Sequence, residues 1–419
     1  MDRAVLISVT LIAALLPLER VGAFSIAGLN VRPSQIALLI AWLLFARLWL
    51  LGRTSFEWRS PVLLALAGFF AAAGLSLLNS ENLTRSLVVL AFTIFTASLV
   101  LLLPNVLKSE NDFKRVRVAI LFAAALMALL GLWQFVADMF GLPLWMTGLR
   151  ETYSRAILGF TRVQATAAEP LYFANYLLLP IALAGAWLLK NPEAKTRRWL
   201  SLLLAMLCVN VFLTSSRGGW LGAAVTVATL LWMERSRLRD MRPLLRAAGI
   251  TITSIAVGVL LLGSFFSTSR ETVTDTFFRH VTTVTDGAAF DDRAQTIVAA
   301  FEAWKLHPWI GVGFGGYGPF VSTFAFSKPE AGWPIVNNET LELLSETGMI
   351  GLATFVLFLI VLFRETSPRR EDGIETIRIA CTTALLGMLA QYQTFSTLYI
   401  MHVWFTIGLL LATSKPTRA

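Results

Sequence analysis

The sequence predicts an all-α polytopic membrane protein of about twelve transmembrane helices, and three observations predict it. Of its 419 residues 56% are hydrophobic, and the mean hydropathy is +0.68, which is a surface that has to face lipid. Charged residues make up 15% of the chain, against roughly 25% in soluble domains, and they cluster between long apolar runs. Finally, the basic residues fall mostly on one side of the topology those runs imply. The formal charge of +9 is therefore a topology signal rather than a nucleic-acid patch.

A membrane-crossing helix needs roughly 20 mainly apolar residues. By that criterion the spans lie near 4–18, 34–51, 61–79, 86–103, 117–138, 170–189, 199–214, 219–233, 247–266, 338–363, 376–392 and 396–413, within one integral domain covering 1–419. Short cytoplasmic loops carry excess Lys and Arg. Placing the N-terminus inside puts twenty-three of the 35 Lys and Arg residues in or beside inner loops, so both termini are expected to be cytoplasmic. Val21-Gly22-Ala23 is a tolerable signal-peptidase site, but Glu19 and Arg20 intervene between it and the apolar run.

Two outer loops are large, 139–169 and 267–337. The first carries Arg150, Arg155 and Arg162, and the second Arg270, Arg279, Arg293, Lys305 and Lys328. These run against the positive-inside trend and ask for a cause. Within the long loop Asp291 and Asp292 offer a helix start, Ile297, Phe301 and Trp304 recur at helical spacing, and His307-Pro308 stops the helix. The glycine-rich turn GVGFGGYG follows at 311–318; it lacks the Lys of a nucleotide loop. The loop then runs back into the membrane through VNNETLELLSETGMIG, residues 336–351.

Several residues could carry chemistry. Arg162 precedes the sixth span, Arg217 lies in the short turn Ser215-Ser216-Arg217-Gly218-Gly219, and Arg293 opens the loop helix. A guanidinium holds phosphate oxygens at two points and stays charged in a partly dry site; the alternative is that these arginines touch lipid headgroups. Glu169-Pro170 place a carboxylate at the outer N-terminus of span six, where the helix dipole favours it; it could equally be a general base or accept a sugar hydroxyl. Glu339, Glu342 and Glu346 share a helix face, which most simply is a solvated polar stripe. His280, His307 and His402 are scattered, and Cys208 and Cys381 sit inside apolar runs, so no His or Cys metal site is expected.

The order of these features resembles the O-antigen ligase and polymerase superfamily of bacterial envelope glycosyltransferases. The residues that carry it are the long outer loop between spans nine and ten, the SRG turn at 216–218, HPWIGVGFGGYG from His307, and NNETLELLSETGMIGL from Asn337. The resemblance is strongest from Arg162 to about Leu352. It implies a C-type membrane glycosyltransferase fold in the bacterial cytoplasmic (inner) membrane, with the active site facing the periplasm or exterior. The implied donor is a glycan on undecaprenyl pyrophosphate, and the acceptor a lipid-linked glycan or lipid A core. A chain-length regulator is a further implied partner; neither cofactor nor metal is required. By the resemblance Arg217, Arg293 and, more weakly, Arg162 meet the donor pyrophosphate.

In one place the sequence departs from the ligases, which carry His-Asn, nine residues, then Gly. Here Asn338 and Gly348 keep the spacing but Asn337 stands at the His position. An amide cannot accept a proton at neutral pH, so Asn337 and Asn338 are expected to position sugars by hydrogen bonds, with Glu169 or Glu339 as the candidate base and His280 a remoter one. That substitution favours polymerisation of repeat units over ligation. The reading from another class, a twelve-span transporter, is opposed by the short middle loop around Lys190 to Arg198 and the long outer loop.

Overall fold

A computed structural model describes residues 3–26, 29–190, 192–235, 288–322, 326, 332–367 and 374–414. Every predicted span within these residues falls on a helix. The first five are α1 (Arg3–Leu15), α2 (Pro33–Leu50), α3 (Pro61–Ser76, continued by a 3-10 turn to Asn79), the pair α4 (Leu83–Ala97) and α5 (Leu99–Val106), and α6 (Glu110–Met139). Two short helices, α7 (Leu144–Thr147) and α8 (Arg155–Leu158), lie in the first large loop. Then come α9 (Pro170–Leu189), α10 (Ala194–Leu213) and α11 (Arg217–Met233), followed by α12 (Ala288–Leu306) and α13 (Tyr317–Val321) of the second loop. The chain ends with α14 (Glu339–Thr366), α15 (Glu375–Gln391) and α16 (Met401–Ala412). The ninth predicted span, 247–266, and His280 lie outside the described residues.

Seven of these helices are long and apolar enough to cross a membrane: Pro33–Leu50, Pro61–Asn79, Leu83–Val106, Glu110–Met139, Pro170–Leu189, Ala194–Leu213 and Glu339–Thr366. Their starts follow from local sequence. Pro33, Pro61 and Pro170 occupy first helical positions, where the missing N–H costs nothing. Asn82, Ser109, Ser216 and Asn338 cap α4, α6, α11 and α14 by accepting from the N–H groups of Arg85, Asp112, Gly219 and Leu341.

The all-α expectation holds, with one small hairpin beside the helices. Phe24–Ile26 (β1) and Leu29–Val31 (β2) form an antiparallel hairpin with Ile26 opposite Leu29. Strands of three residues each are too short for a period-two pattern to announce itself.

The core is organised around α9. Its apolar window is 83% buried, against 28–50% in the other six, because α6, α10, α11 and α15 pack around it. The others keep a lipid-facing side, seen in exposed Leu43, Leu64, Phe122, Leu202 and Ile360. At the α11–α15 crossing a Cβ on Gly222 would come within 3.0 Å of the Gly387 carbonyl, so small residues let these backbones approach closely. Inside the bundle, His402 Nε2 lies 2.7 Å from Asn175 Oδ1, Asn175 donates to Gln391 Oε1, and Gln391 donates to the Leu171 carbonyl. His402 is thus a hydrogen-bonded core residue tying α9, α15 and α16.

The first large loop is pinned rather than loose. Asp138 accepts from the Arg155 N–H and the Thr161 hydroxyl, and Gln134 accepts from the N–H of Gln164 and of Ala165. Its arginines contribute: Arg150 donates to the Ala168 carbonyl and Arg155 to that of Met139. Part of this loop's basic charge therefore satisfies loop carbonyls.

Candidate active site

The site is built on a break in a membrane helix. α14 is interrupted at Gly348, whose φ of 66° and ψ of −169° are not helical. A break strands carbonyls before it and N–H groups after it, which is costly at membrane depth unless other backbone supplies partners. The glycine-rich turn supplies them. Val312 and Gly313 donate to the carbonyls of Ser345 and Glu346, while Met349 and Ile350 donate to those of Pro308 and Trp309. HPWIGVGFGGYG and SETGMIG, distant in sequence, are thus one hydrogen-bonded unit. Glycine is required at both ends of the contact, since a Cβ on Gly348 would strike the Trp309 backbone and one on Gly311 that of Glu346.

The carboxylates of α14 face inward from this unit. Glu346 accepts from the N–H groups of Gly315 and Tyr317 at 2.7 and 3.1 Å. Glu342 accepts from the Val336 N–H and from the Ser396 hydroxyl, and Glu339 from the Thr397 N–H at 2.7 Å. The expectation of a solvated stripe is corrected here: Glu339 and Glu346 are 5% and 6% exposed. Three carboxylates spaced to share one face do share it, but that face is covered by the 311–318 turn and by residues 392–400. Between them lies a cavity of about 250 Å³ whose charged lining is Arg32, Arg85, Glu339, Glu342 and Glu346. Arg85 crosses from α4, donates to the Gly315 carbonyl and lies over Trp333.

Asn337 and Asn338 sit at the mouth of α14. Asn337 holds a left-handed φ of 59°, a conformation Asn tolerates better than most residues, and its N–H donates to Ser396 Oγ. Asn338 caps α14 and reaches the Gln393 carbonyl. Residues 393–396 therefore touch the Asn337 backbone and the Asn338 side chain.

The same segment leads to the arginines. A Cβ on Gly218 would collide with the Thr394 side chain, so the turn bearing Arg217 lies against it. Arg217 is the first residue of α11, where the helix dipole favours an anion. Ser215, two residues earlier, is strained at φ 48°. Arg162 joins from the other side, its Nε donating to the Thr214 carbonyl at 3.0 Å. The structure thus brings Arg162 and Arg217 to one turn, and residues 392–400 link that turn to Asn337, Asn338 and Glu339. Arg293 lies on α12, one turn before Thr296, which donates to the Val336 carbonyl; its side chain is outside the described residues.

Glu169 is the N-cap of α9, as its place before Pro170 predicts, but its side chain makes no capping hydrogen bond. Burial pushes its carboxyl above the usual range, the charge of Glu19 adds to this, and Arg150 and Arg162 pull the other way. A carboxyl so placed is a better base than an exposed one.

With this geometry in hand, comparison with known families is decisive over part of the chain. Residues 200–356 match the family model described as O-antigen ligase. Over this stretch the chain is similar to the O-antigen ligase family, which supports the O-antigen ligase and polymerase superfamily. No curated protein matches it.

The O-antigen ligase match spans Arg217, Arg293, Asn337, Asn338, Glu339 and Gly348, and leaves out Arg162 and Glu169. This match, together with the apolar helices, supports a membrane-embedded enzyme of the ligase or polymerase type. Sequence reasoning missed Arg85, Gln393, Ser396 and Thr397. Arg85 carried one usable signal, as a lone basic residue at an outer span end; the polar residues after Tyr392 carried none.

Proposed function

We propose that this chain polymerises lipid-linked repeat units, transferring a glycan from undecaprenyl pyrophosphate to a sugar hydroxyl of another lipid-linked repeat. It works as a twelve-span C-type glycosyltransferase at the outer face of the bacterial cytoplasmic membrane. The observation that carries this reading is the convergence of Arg162 on the turn of Arg217 at the N-terminus of α11. Cleaving a sugar from lipid pyrophosphate builds negative charge on the leaving oxygen, and fixed guanidinium groups at a helix N-terminus stabilise that charge most where it is largest, in the transition state. Arg293 is assigned the same role from α12.

Glu169 and Glu339 remain the two candidate bases. Glu169 is favoured because Glu339 already accepts from the Thr397 N–H in a buried setting, whereas Glu169 is committed to no capping bond. Asn337 and Asn338 position sugars. Ligation to lipid A core is the second reading, supported by the description of the matching family; Asn337, which cannot serve as a base, favours polymerisation. A deletion strain separates the two. Loss of a polymerase leaves acceptor capped with one repeat, and loss of a ligase leaves acceptor with none.

A further inference from the structure

Beside the candidate base Glu339, the cavity behind Asn338 holds polar groups that the proposed transfer chemistry does not use. Thr397 lines it and is 3% exposed, yet among the described residues its Oγ1 has no hydrogen-bond partner. Glu339 and Glu342 each commit only Oε2, so among the described residues the Oε1 atoms accept nothing. Arg85 commits only Nε; its two terminal nitrogens donate to nothing among the described residues. Arg85 faces Glu342 and Glu346 closely enough for their charges to act on it, yet forms no ion pair with either. Open acceptors and open donors thus confront one another across the cavity without meeting.

A hydroxyl both donates and accepts, so a pair of neighbouring hydroxyls closes this gap, each giving its proton to a carboxylate oxygen and accepting from Arg85 or Thr397. A cation fits poorly. Glu346 has both oxygens occupied by N–H donors, which leaves too few ligands for a hard metal, and Arg85 repels a positive charge. An anion fits poorly too, because three carboxylates face two guanidinium groups and Arg32 is already paired with Glu19 at 3.4 Å. At about 250 Å³ the space is below the roughly 300–1,000 Å³ of pockets for drug-sized ligands, so it suits one ring. Phe92 and Tyr399 add an apolar wall to the polar set.

We propose that this cavity is a specificity subsite for a single neutral pyranose ring, bound through adjacent hydroxyls by Glu339, Glu342, Thr397 and Arg85. The inference rests on the glycan-transfer reading for its biological meaning, but its test does not use transfer. The measurement is saturation-transfer NMR on the full chain in lipid nanodiscs. The probes are methyl glycosides of gluco, galacto and manno configuration, alongside the matching uronic acids. At least one neutral glycoside is expected to receive saturation, and its uronate to receive little. Thr397→Val should cut that signal about 2- to 10-fold, the range for loss of one hydrogen bond, and Thr397→Ser should restore it.

Absence of any neutral signal, a uronate signal as strong as the neutral one, or an unchanged signal in a folded Thr397→Val protein overturns the subsite. The comparison of neutral sugar with uronate needs no variant and decides the matter even if Thr397→Val does not fold. Glycoside binding by a protein that transfers nothing from lipid pyrophosphate would sink the polymerase reading and leave the subsite standing; transfer without glycoside binding does the reverse.

Discussion

Arg162 reaches the turn of Arg217 through the Thr214 carbonyl, and Glu169 lies within electrostatic range of Arg150 and Arg162. Each of these residues has a separable signature. Arg217→Ala and Arg162→Ala should each lower kcat by about 10²–10³-fold, the scale for removing one oxyanion donor, with the protein still inserted and folded. Steady-state kinetics on purified variants checks this; near-normal turnover in both removes the arginine clamp. For Glu169 the sign of the pH effect follows from its raised pKa. A base must be ionised to act, so activity should climb through a limb above the ordinary glutamate value of about 4.3. Arg150 holds that pKa down, so Arg150→Ala should move the limb to higher pH, and Glu169→Gln should abolish it. A pH–rate profile that ignores both changes removes Glu169 as the base.

The unit that matters at the scale of elements is the broken helix α14 with the 311–318 turn seated in its break. Its four cross-links pair the carbonyls of 345 and 346 and the N–H groups of 349 and 350 with the 308–313 backbone, so the sites on either side are positioned by one joint. Gly348→Ala forces a side chain into a positive-φ, extended-ψ conformation that only glycine adopts readily, at a cost of about 1–3 kcal/mol, and adds overlap with Trp309. It should lower the thermal midpoint in detergent and expose 311–318 to protease, with transfer lost alongside. Gly74→Ala in α3 is the control, since its Cβ would meet nothing within 4 Å; it should be neutral or stabilising by about 0.5–1 kcal/mol. Equal midpoints for the two variants would contradict the joint.

Across the whole molecule, the helices were legible because apolar runs near bilayer length are a strong one-dimensional signal, and eleven of the twelve predicted spans fall on described helices. The hairpin at 24–31 was too short to read. The glutamates of α14 show the limit of periodicity: spacing says which residues share a face, and only the tertiary fold says that Gly315, Tyr317, Val336, Ser396 and Thr397 cover it. Ser396 and Thr397 approach Glu342 and Glu339 across more than 50 residues of chain, a pairing that no local pattern encodes. The order of the SRG turn, the glycine turn and the NNE motif was legible, and the match over 200–356 agrees with it. Topology is tested by single cysteines in a protein lacking Cys208 and Cys381: Ser55→Cys should react with an impermeant maleimide only from the cytoplasm and Thr152→Cys only from outside, and the opposite pattern would invert the topology. The most direct measurement of the central claim gives the purified protein a defined oligosaccharide on undecaprenyl pyrophosphate, with no nucleotide sugar present, and reads the products by mass spectrometry. The account predicts a ladder of whole repeats with release of undecaprenyl pyrophosphate, lost in Arg217→Ala. Donor returned unchanged by folded protein, or a ladder undiminished in Arg217→Ala, would contradict it.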